Sequence, residues 1–158
     1  MLSLYEILIT VHIITAMLWL GGALVETFYF IPQFKKVSNG ITEAHFIKIW
    51  SSSGPYYGPV VLLLLFTGIT LTIYGGWGFF QSFWLGTKQG IMITIFLIAI
   101  AAAFPNMGKT QKMATALLEK NEPANDALRK QFKKTVVFFD IMHIGVFINV
   151  ILAILRFS

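Results

Sequence analysis

The feature that most constrains this chain is the length of its stretches without a charged residue. No Asp, Glu, Lys or Arg occurs in residues 49–87, and none occurs between Glu6 and Glu26. Charged residues make up 12% of the chain, whereas they make up about 25% of a soluble domain. A helix needs about 20 apolar residues to cross the hydrocarbon core of a bilayer. The sequence therefore predicts an integral membrane protein.

The charge-free stretches predict four spans, and hence an all-α membrane four-helix bundle that forms a single transmembrane domain over residues 1–158. The stretch 49–87 is too long for one span, and its Gly-Gly-Trp-Gly run indicates a turn. A short helix is predicted at the inner membrane surface, and a cytoplasmic helical extension is predicted between spans three and four. The predicted spans cover about residues 4–30, 57–74, 84–104 and 135–155.

The positive charges predict the orientation of the bundle. Of the twelve lysines and arginines, all except Lys88 and Arg156 lie between spans one and two or between spans three and four. Because positive residues favour cytoplasmic loops, we expect the basic loops in the cytoplasm, both termini outside it, and a multi-pass protein of the plasma membrane. This topology explains the basic isoelectric point of about 9.6, so nucleic-acid binding is not required.

Aromatic residues agree with the predicted interfaces, where tryptophan and tyrosine are enriched. We expect Trp50, Tyr56 and Tyr57 at the inner interface. Tyr74, Trp77 and Trp84 are expected at the outer one. The chain has no cysteine, which excludes disulfides, thiolate metal sites and covalently attached haem.

Ionisable side chains within a bilayer are costly, and each is a functional hypothesis. At about 1.5 Å of rise per residue, His12 lies about 12 Å and Lys88 about 6 Å inward from the outer ends of their spans. These two residues therefore share the outer half of the bundle, with Glu6 at its edge. Glu26, Asp140 and His143 belong to the inner half, where Glu26 and His143 can meet.

Each of these residues also has a purely structural interpretation. The histidines can serve only as hydrogen-bond partners between helices, and a lysine near a span end can extend to the headgroups. Glu26 and Asp140 can face water near the interface. The glycine pair Gly21-Gly22 can serve close helix packing. Yet His12 heads a helix face that includes Trp19, and an imidazole among tryptophan and glycine suits a porphyrin.

Two short motifs resemble the HemJ-type protoporphyrinogen oxidases and the wider CopD-like family. The first is His12-Ile13-Ile14 followed by Trp19 and Gly22, which resembles the first span of those enzymes. The second is Trp-Leu-Gly-Thr-Lys at residues 84–88, which resembles the start of their third span. Gly58-Pro59 and Gly68 make the second span similar as well.

The resemblance implies a b-type haem and a redox role, either tetrapyrrole oxidation or electron transfer to a quinone or another membrane partner. It implies that His12 ligates the iron and that Lys88 is the second ligand or a charge partner for a propionate. His143 is the alternative second ligand. Trp19 and Gly22 would line the haem. The resemblance thus predicts a haem-dependent oxidoreductase but identifies no catalytic residue.

Two other classes of function remain open at this point. Met17, Met92 and Met142 lie within spans together with His12 and His143, and thioethers and imidazoles suit Cu(I). The chain would then handle copper or transport a small molecule. Alternatively, it is an assembly subunit without chemistry of its own, in contact with the lipid bilayer and with partner chains or further copies of itself.

Overall fold

The computed structural model describes residues 3–37 and 40–155, and every regular element within them is helical. Two π-helical turns, Glu26–Phe30 and Ala99–Ala103, interrupt the α-helices. The α-helices are α1 (Leu4–Val25), α2 (Ile31–Lys36), α3 (Ile41–Ser51), α4 (Gly54–Tyr74), α5 (Phe83–Ile98), α6 (Phe104–Glu119) and α7 (Asp126–Leu155).

Four helical units are long and apolar enough to cross a membrane, which confirms the predicted fold class. They are Leu4–Lys36, Ile41–Tyr74, Phe83–Glu119 and Asp126–Leu155. Their apolar outer faces carry exposed residues such as Phe28, Phe66 and Ile154, which suits contact with lipid. All four units extend beyond the predicted spans, because α2 prolongs the first unit, α3 precedes α4, α6 prolongs α5, and the first turns of α7 precede residue 135.

Each π-helical turn comes just before a proline in the helix that follows. Pro32 lies near the start of α2, and Pro105 lies near the start of α6. Proline lacks an N–H group and crowds the carbonyl four residues earlier, and a π-helical turn adjusts the local hydrogen bonding at such a site. The helical unit therefore continues through Pro105.

The two ends of the bundle differ in charge. The basic end contains α2, α3, α6 and the start of α7, with the lysines of both predicted cytoplasmic loops. At the opposite end, Ser3 and Glu6 form a capping box at the start of α1. The turn between α4 and α5 contains Gly76 and Gly78, both at φ +66, a backbone conformation that favours glycine. Arg156 lies outside the described residues, and the side of the membrane that the basic end faces stays a prediction.

Contacts between the long helices determine which residues of the spans are buried. In the bundle, α1 packs mainly against α4 and also against α7, while α5 packs against α7. At the basic end, α3 packs against α6, and α6 against α7. Trp50 and Tyr57 are buried in these contacts. Both side chains therefore contact neighbouring helices, whereas Tyr56 remains exposed. Their depth at the inner interface stays a prediction.

A partly buried ion pair fixes α3 to the start of α7. Arg129 donates from Nε to Oε1 and from Nη2 to Oε2 of Glu43, both at 2.8 Å. Such a bidentate pair adds orientation as well as energy. Glu43 is buried and in the first turn of α3, after the predicted N-cap Gly40. This bidentate contact holds α3 and α7 together at the basic end.

Candidate functional site

The bundle contains two groups of polar residues at different levels. We call His12, Thr67, Lys88 and Asn149 the histidine–lysine layer; it lies toward the end opposite the basic one. We call Trp19, Glu26, Tyr57 and His143 the histidine–glutamate cluster; it lies nearer the basic end. Along α4, Tyr57 and Thr67 are about 15 Å apart at the usual helical rise.

In the histidine–lysine layer, His12 of α1 is hydrogen-bonded to Thr67 of α4. Nδ1 of His12 lies 2.7 Å from the Thr67 hydroxyl oxygen, and that oxygen lies 2.6 Å from the carbonyl oxygen of Leu63. A hydroxyl has one hydrogen and a carbonyl only accepts. The Thr67 hydroxyl therefore donates to Leu63 and accepts from Nδ1–H of His12. This network assigns the tautomer: the neutral ring has its lone pair on Nε2.

Space for the His12 ring depends on the next residue of α4. A Cβ atom at Gly68 would lie 3.4 Å from Cε1 of His12. A larger side chain at this position would press against the ring. The glycine that the second span shares with the resembling family thus lies against the predicted haem ligand.

Lys88 and Asn149 complete the layer from α5 and α7. The Lys88 ammonium is within electrostatic range of the His12 ring and lies 5.6 Å from the centre of the Trp84 ring. Asn149 is buried and donates from Nδ2 to the Lys88 carbonyl oxygen at 3.4 Å. All four long helices therefore contribute to this layer, and His12 and Lys88 lie at one level, as helix rise predicted.

The histidine–glutamate cluster is more deeply buried. Its side chains come from α1, α4, α7 and the first π-helical turn, and their residues are between 0% and 7% exposed. Nε1 of Trp19 lies 3.0 Å from Nδ1 of His143. Nε2 of His143 lies 3.4 Å from Oε2 of Glu26, and the Tyr57 hydroxyl lies 3.1 Å from the same oxygen. The predicted meeting of Glu26 and His143 is confirmed.

The direction of each hydrogen bond in the cluster follows from the indole. A tryptophan N–H only donates, so Nδ1 of His143 accepts from Trp19. The neutral imidazole then has its hydrogen on Nε2 and donates to Oε2 of Glu26. Tyr57 donates to the same oxygen. The second carboxyl oxygen, Oε1, is buried and has no hydrogen-bond partner within residues 3–37 and 40–155.

Gly22 permits close contact between α1 and the start of α4. A Cβ atom there would lie 2.9 Å from Cε1 of Tyr56 and 3.1 Å from the Tyr57 hydroxyl oxygen. The Tyr56 hydroxyl donates to the Leu18 carbonyl beside it. The structure therefore places Gly22, together with Trp19, at the histidine–glutamate cluster and about 10 to 15 Å along α1 from His12.

Among the described residues, Asp140 and His45 contribute no hydrogen bond to either group. Asp140 is exposed on α7, and His45 is exposed on α3. Glu26 is buried, so its alternative interpretation as a water-facing residue is wrong. Met17 is 67% exposed whereas Met142 is fully buried, so these two thioethers do not share a surface. The described part of the chain contains no group of three His, Cys, Asp or Glu residues that could hold a metal ion.

Sequence reasoning missed three residues of these groups. Tyr57 was taken for an interface residue, and Thr67 and Asn149 were not singled out. The available signal was their polarity within apolar spans, because a buried hydroxyl or amide requires a partner. Only the pairing of helices identifies that partner.

A family model described as "Predicted integral membrane protein (DUF2269)" matches residues 6–156. This description agrees with the four apolar helical units. It names neither of the two families that the short motifs resemble. No curated protein and no solved structure matches the chain.

Proposed function

We propose that this chain, which belongs to the DUF2269 family of predicted integral membrane proteins, binds a b-type haem through His12 and serves redox chemistry in the membrane. The hydrogen bond between His12 and Thr67 carries the proposal. A histidine that ligates a metal usually donates its other ring N–H to a fixed acceptor, which sets the tautomer and the orientation of the ring. Thr67 is such an acceptor, and Nε2 of His12 is left with its lone pair.

Lys88 is the second residue of the proposed site. A lysine ligates iron only as a neutral amine, whereas its position over the Trp84 ring suits the charged ammonium through a cation–π contact. We therefore favour Lys88 as the partner of a haem propionate over Lys88 as an axial ligand. The ammonium would then orient the macrocycle relative to His12.

His143 does not suit the role of second ligand. Its Nδ1 accepts from Trp19 and its Nε2 faces Glu26, so neither nitrogen has a lone pair available for iron. Trp19 and Gly22 are engaged in the same cluster, and the proposal does not depend on the haem contact that the resemblance implies for them. The proposed site therefore consists of His12, held by Thr67, and Lys88.

A bound haem would supply one-electron chemistry to a quinone or tetrapyrrole that reaches the bundle from the lipid. The residues of the chain would hold and orient it. His12 would fix the iron, Thr67 would fix the His12 ring, and Lys88 would balance a negative charge at the same level.

The test is the visible spectrum of the purified protein after expression with ample haem. We expect a Soret band in the wild type that is lost in His12→Ala. The chain offers two matched controls, His45→Ala on the exposed face of α3 and His143→Ala in the other cluster. Both should retain the band, and Lys88→Ala should lower haem occupancy with little change in band position.

Three results would contradict the proposal. The first is a colourless wild-type protein. The second is a Soret band that survives His12→Ala, and the third is a band that depends on His143 but not on His12.

A further inference from the structure

Outside the proposed haem site, the most unusual polar atom in the described chain is Oε1 of Glu26. The residue is 6% exposed, and both donors of the cluster point to its other oxygen, Oε2. Burying a carboxylate without compensation costs on the order of several kcal/mol. A buried oxygen that lacks a partner therefore requires an explanation. A neutral carboxylic acid leaves no uncompensated charge at Oε1, which a carboxylate would.

Within residues 3–37 and 40–155, no lysine or arginine forms a salt bridge with Glu26. His143 is the basic group within hydrogen-bonding distance among the described residues. It would be cationic only with hydrogens on both nitrogens, and a hydrogen on Nδ1 would point at the N–H of Trp19. Trp19 therefore disfavours the ion pair between a charged His143 and a charged Glu26.

The other titratable groups around Glu26 are not cationic either. Tyr57 faces it from α4, and Asp140 is within its electrostatic range on α7. The negative charge of an ionised Asp140 would add repulsion to an ionised Glu26. The hydrogen bonds from Tyr57 and His143 to Oε2 stabilise a carboxylate, and a carboxylic acid with its hydrogen on Oε1 keeps both of them, whereas burial and the charge of Asp140 act against the carboxylate.

We propose that the histidine–glutamate cluster is a proton-binding site within the membrane, in which Oε1 of Glu26 holds the exchangeable proton. Proton uptake converts the carboxylate to a carboxylic acid, and Oε2 continues to accept from Tyr57 and His143. No electron is transferred and no other bond changes. Trp19 is a positioning residue, because it keeps His143 neutral and so directs the proton to Glu26.

Glu26 is the first residue of the π-helical turn Glu26–Phe30, which precedes Pro32. The turn lies between α1 and α2, at the level where α1 meets Tyr57 and His143.

The experiment is infrared spectroscopy of the full chain in lipid nanodiscs, with the glutamate carboxyl groups labelled with ¹³C. At neutral pH we expect a carbonyl band of a protonated carboxylic acid that moves with the label and shifts in D₂O. This measurement on the wild type needs no mutation. If the labelled wild type shows no such band at neutral pH, Glu26 is ionised and the proposal is wrong.

Variants then assign the band. Glu26→Gln should abolish it, whereas Asp140→Asn, the matched change at the exposed acid of α7, should retain it. In Trp19→Phe, Nδ1 of His143 is free to bind the proton, so the acid band should be replaced by carboxylate and imidazolium signals. A band that survives Glu26→Gln, or one unchanged in Trp19→Phe, would overturn the proposal. Neither result bears on haem binding, which the visible spectrum measures separately.

Discussion

The two histidines within the bundle are used in different ways. His143 has hydrogen-bond partners at both ring nitrogens, from α1 and from the π-helical turn, and three aromatic rings have their centres within about 6 Å of it (6.0 Å for Trp19, 5.6 Å for Tyr57 and 6.1 Å for Phe139). His12 has a described hydrogen bond at Nδ1 alone, and its ring is only partly buried. The cluster around His143 is thus nearly closed, whereas the layer around His12 is open at one nitrogen.

This difference separates two kinds of polar site in a membrane. Where both nitrogens of an imidazole are satisfied by the protein, the ring stabilises contacts between helices. Where one nitrogen is fixed and the other is open, the ring is oriented for a ligand. Sequence alone treats the two histidines alike, as single ionisable residues in apolar spans.

The largest loss of stability is expected when His143 is exchanged for leucine. His143→Leu removes two interhelical hydrogen bonds, each worth about 0.6 to 1.7 kcal/mol in a membrane, and leaves Trp19 and Glu26 without their partner. We expect destabilisation of about 1 to 3 kcal/mol, measured by thermal unfolding in detergent.

His12→Leu is the matched change in the other group. It removes one bond, and the Thr67 hydroxyl keeps its bond to Leu63, so the loss should be about 1 kcal/mol or less. Equal losses of stability in the two variants would show that the contrast between closed and open groups is wrong.

An intermediate effect is expected at the glycine pair of α1. Gly22→Ala places a methyl group against Tyr56 and Tyr57 and should destabilise by about 1 to 2 kcal/mol through overpacking. Gly21→Ala is the control, since nothing lies within 4 Å of a Cβ atom there. Both changes gain the same helix propensity, so the difference in their melting temperatures measures the contact beside the cluster. No difference would mean that Tyr56 and Tyr57 do not depend on Gly22.

The smallest effect is expected from Tyr57→Phe. This change removes one of the two donors to Oε2 of Glu26 and keeps the ring packing against Trp19. The cost should be about 0.6 to 1 kcal/mol, measured by the same thermal unfolding. Tyr56→Phe, at the exposed neighbour that donates to a backbone carbonyl, separates loss of the Glu26 contact from general loss of a hydroxyl. A larger loss of stability in Tyr56→Phe than in Tyr57→Phe would show that the hydrogen bond to Glu26 contributes less to stability than the bond to the Leu18 carbonyl.

The amino-acid sequence by itself determined the four apolar helical units, the basic end and the depth of each ionisable residue. Charge-free length and helical rise decide these features, and both are local properties of the chain. Depth alone was sufficient to bring His12 level with Lys88 and Glu26 near His143.

Tertiary structure alone decided which helix faces meet. Spans are apolar on nearly every side, so their sequences carry little indication of which face turns inward. For this reason Tyr57 could not be distinguished from an interface tyrosine, and Thr67 could not be identified as the partner of His12. Packing of α1 against α4 and α7 made both assignments, because it is the contact between helices that satisfies one nitrogen of His12 and both nitrogens of His143.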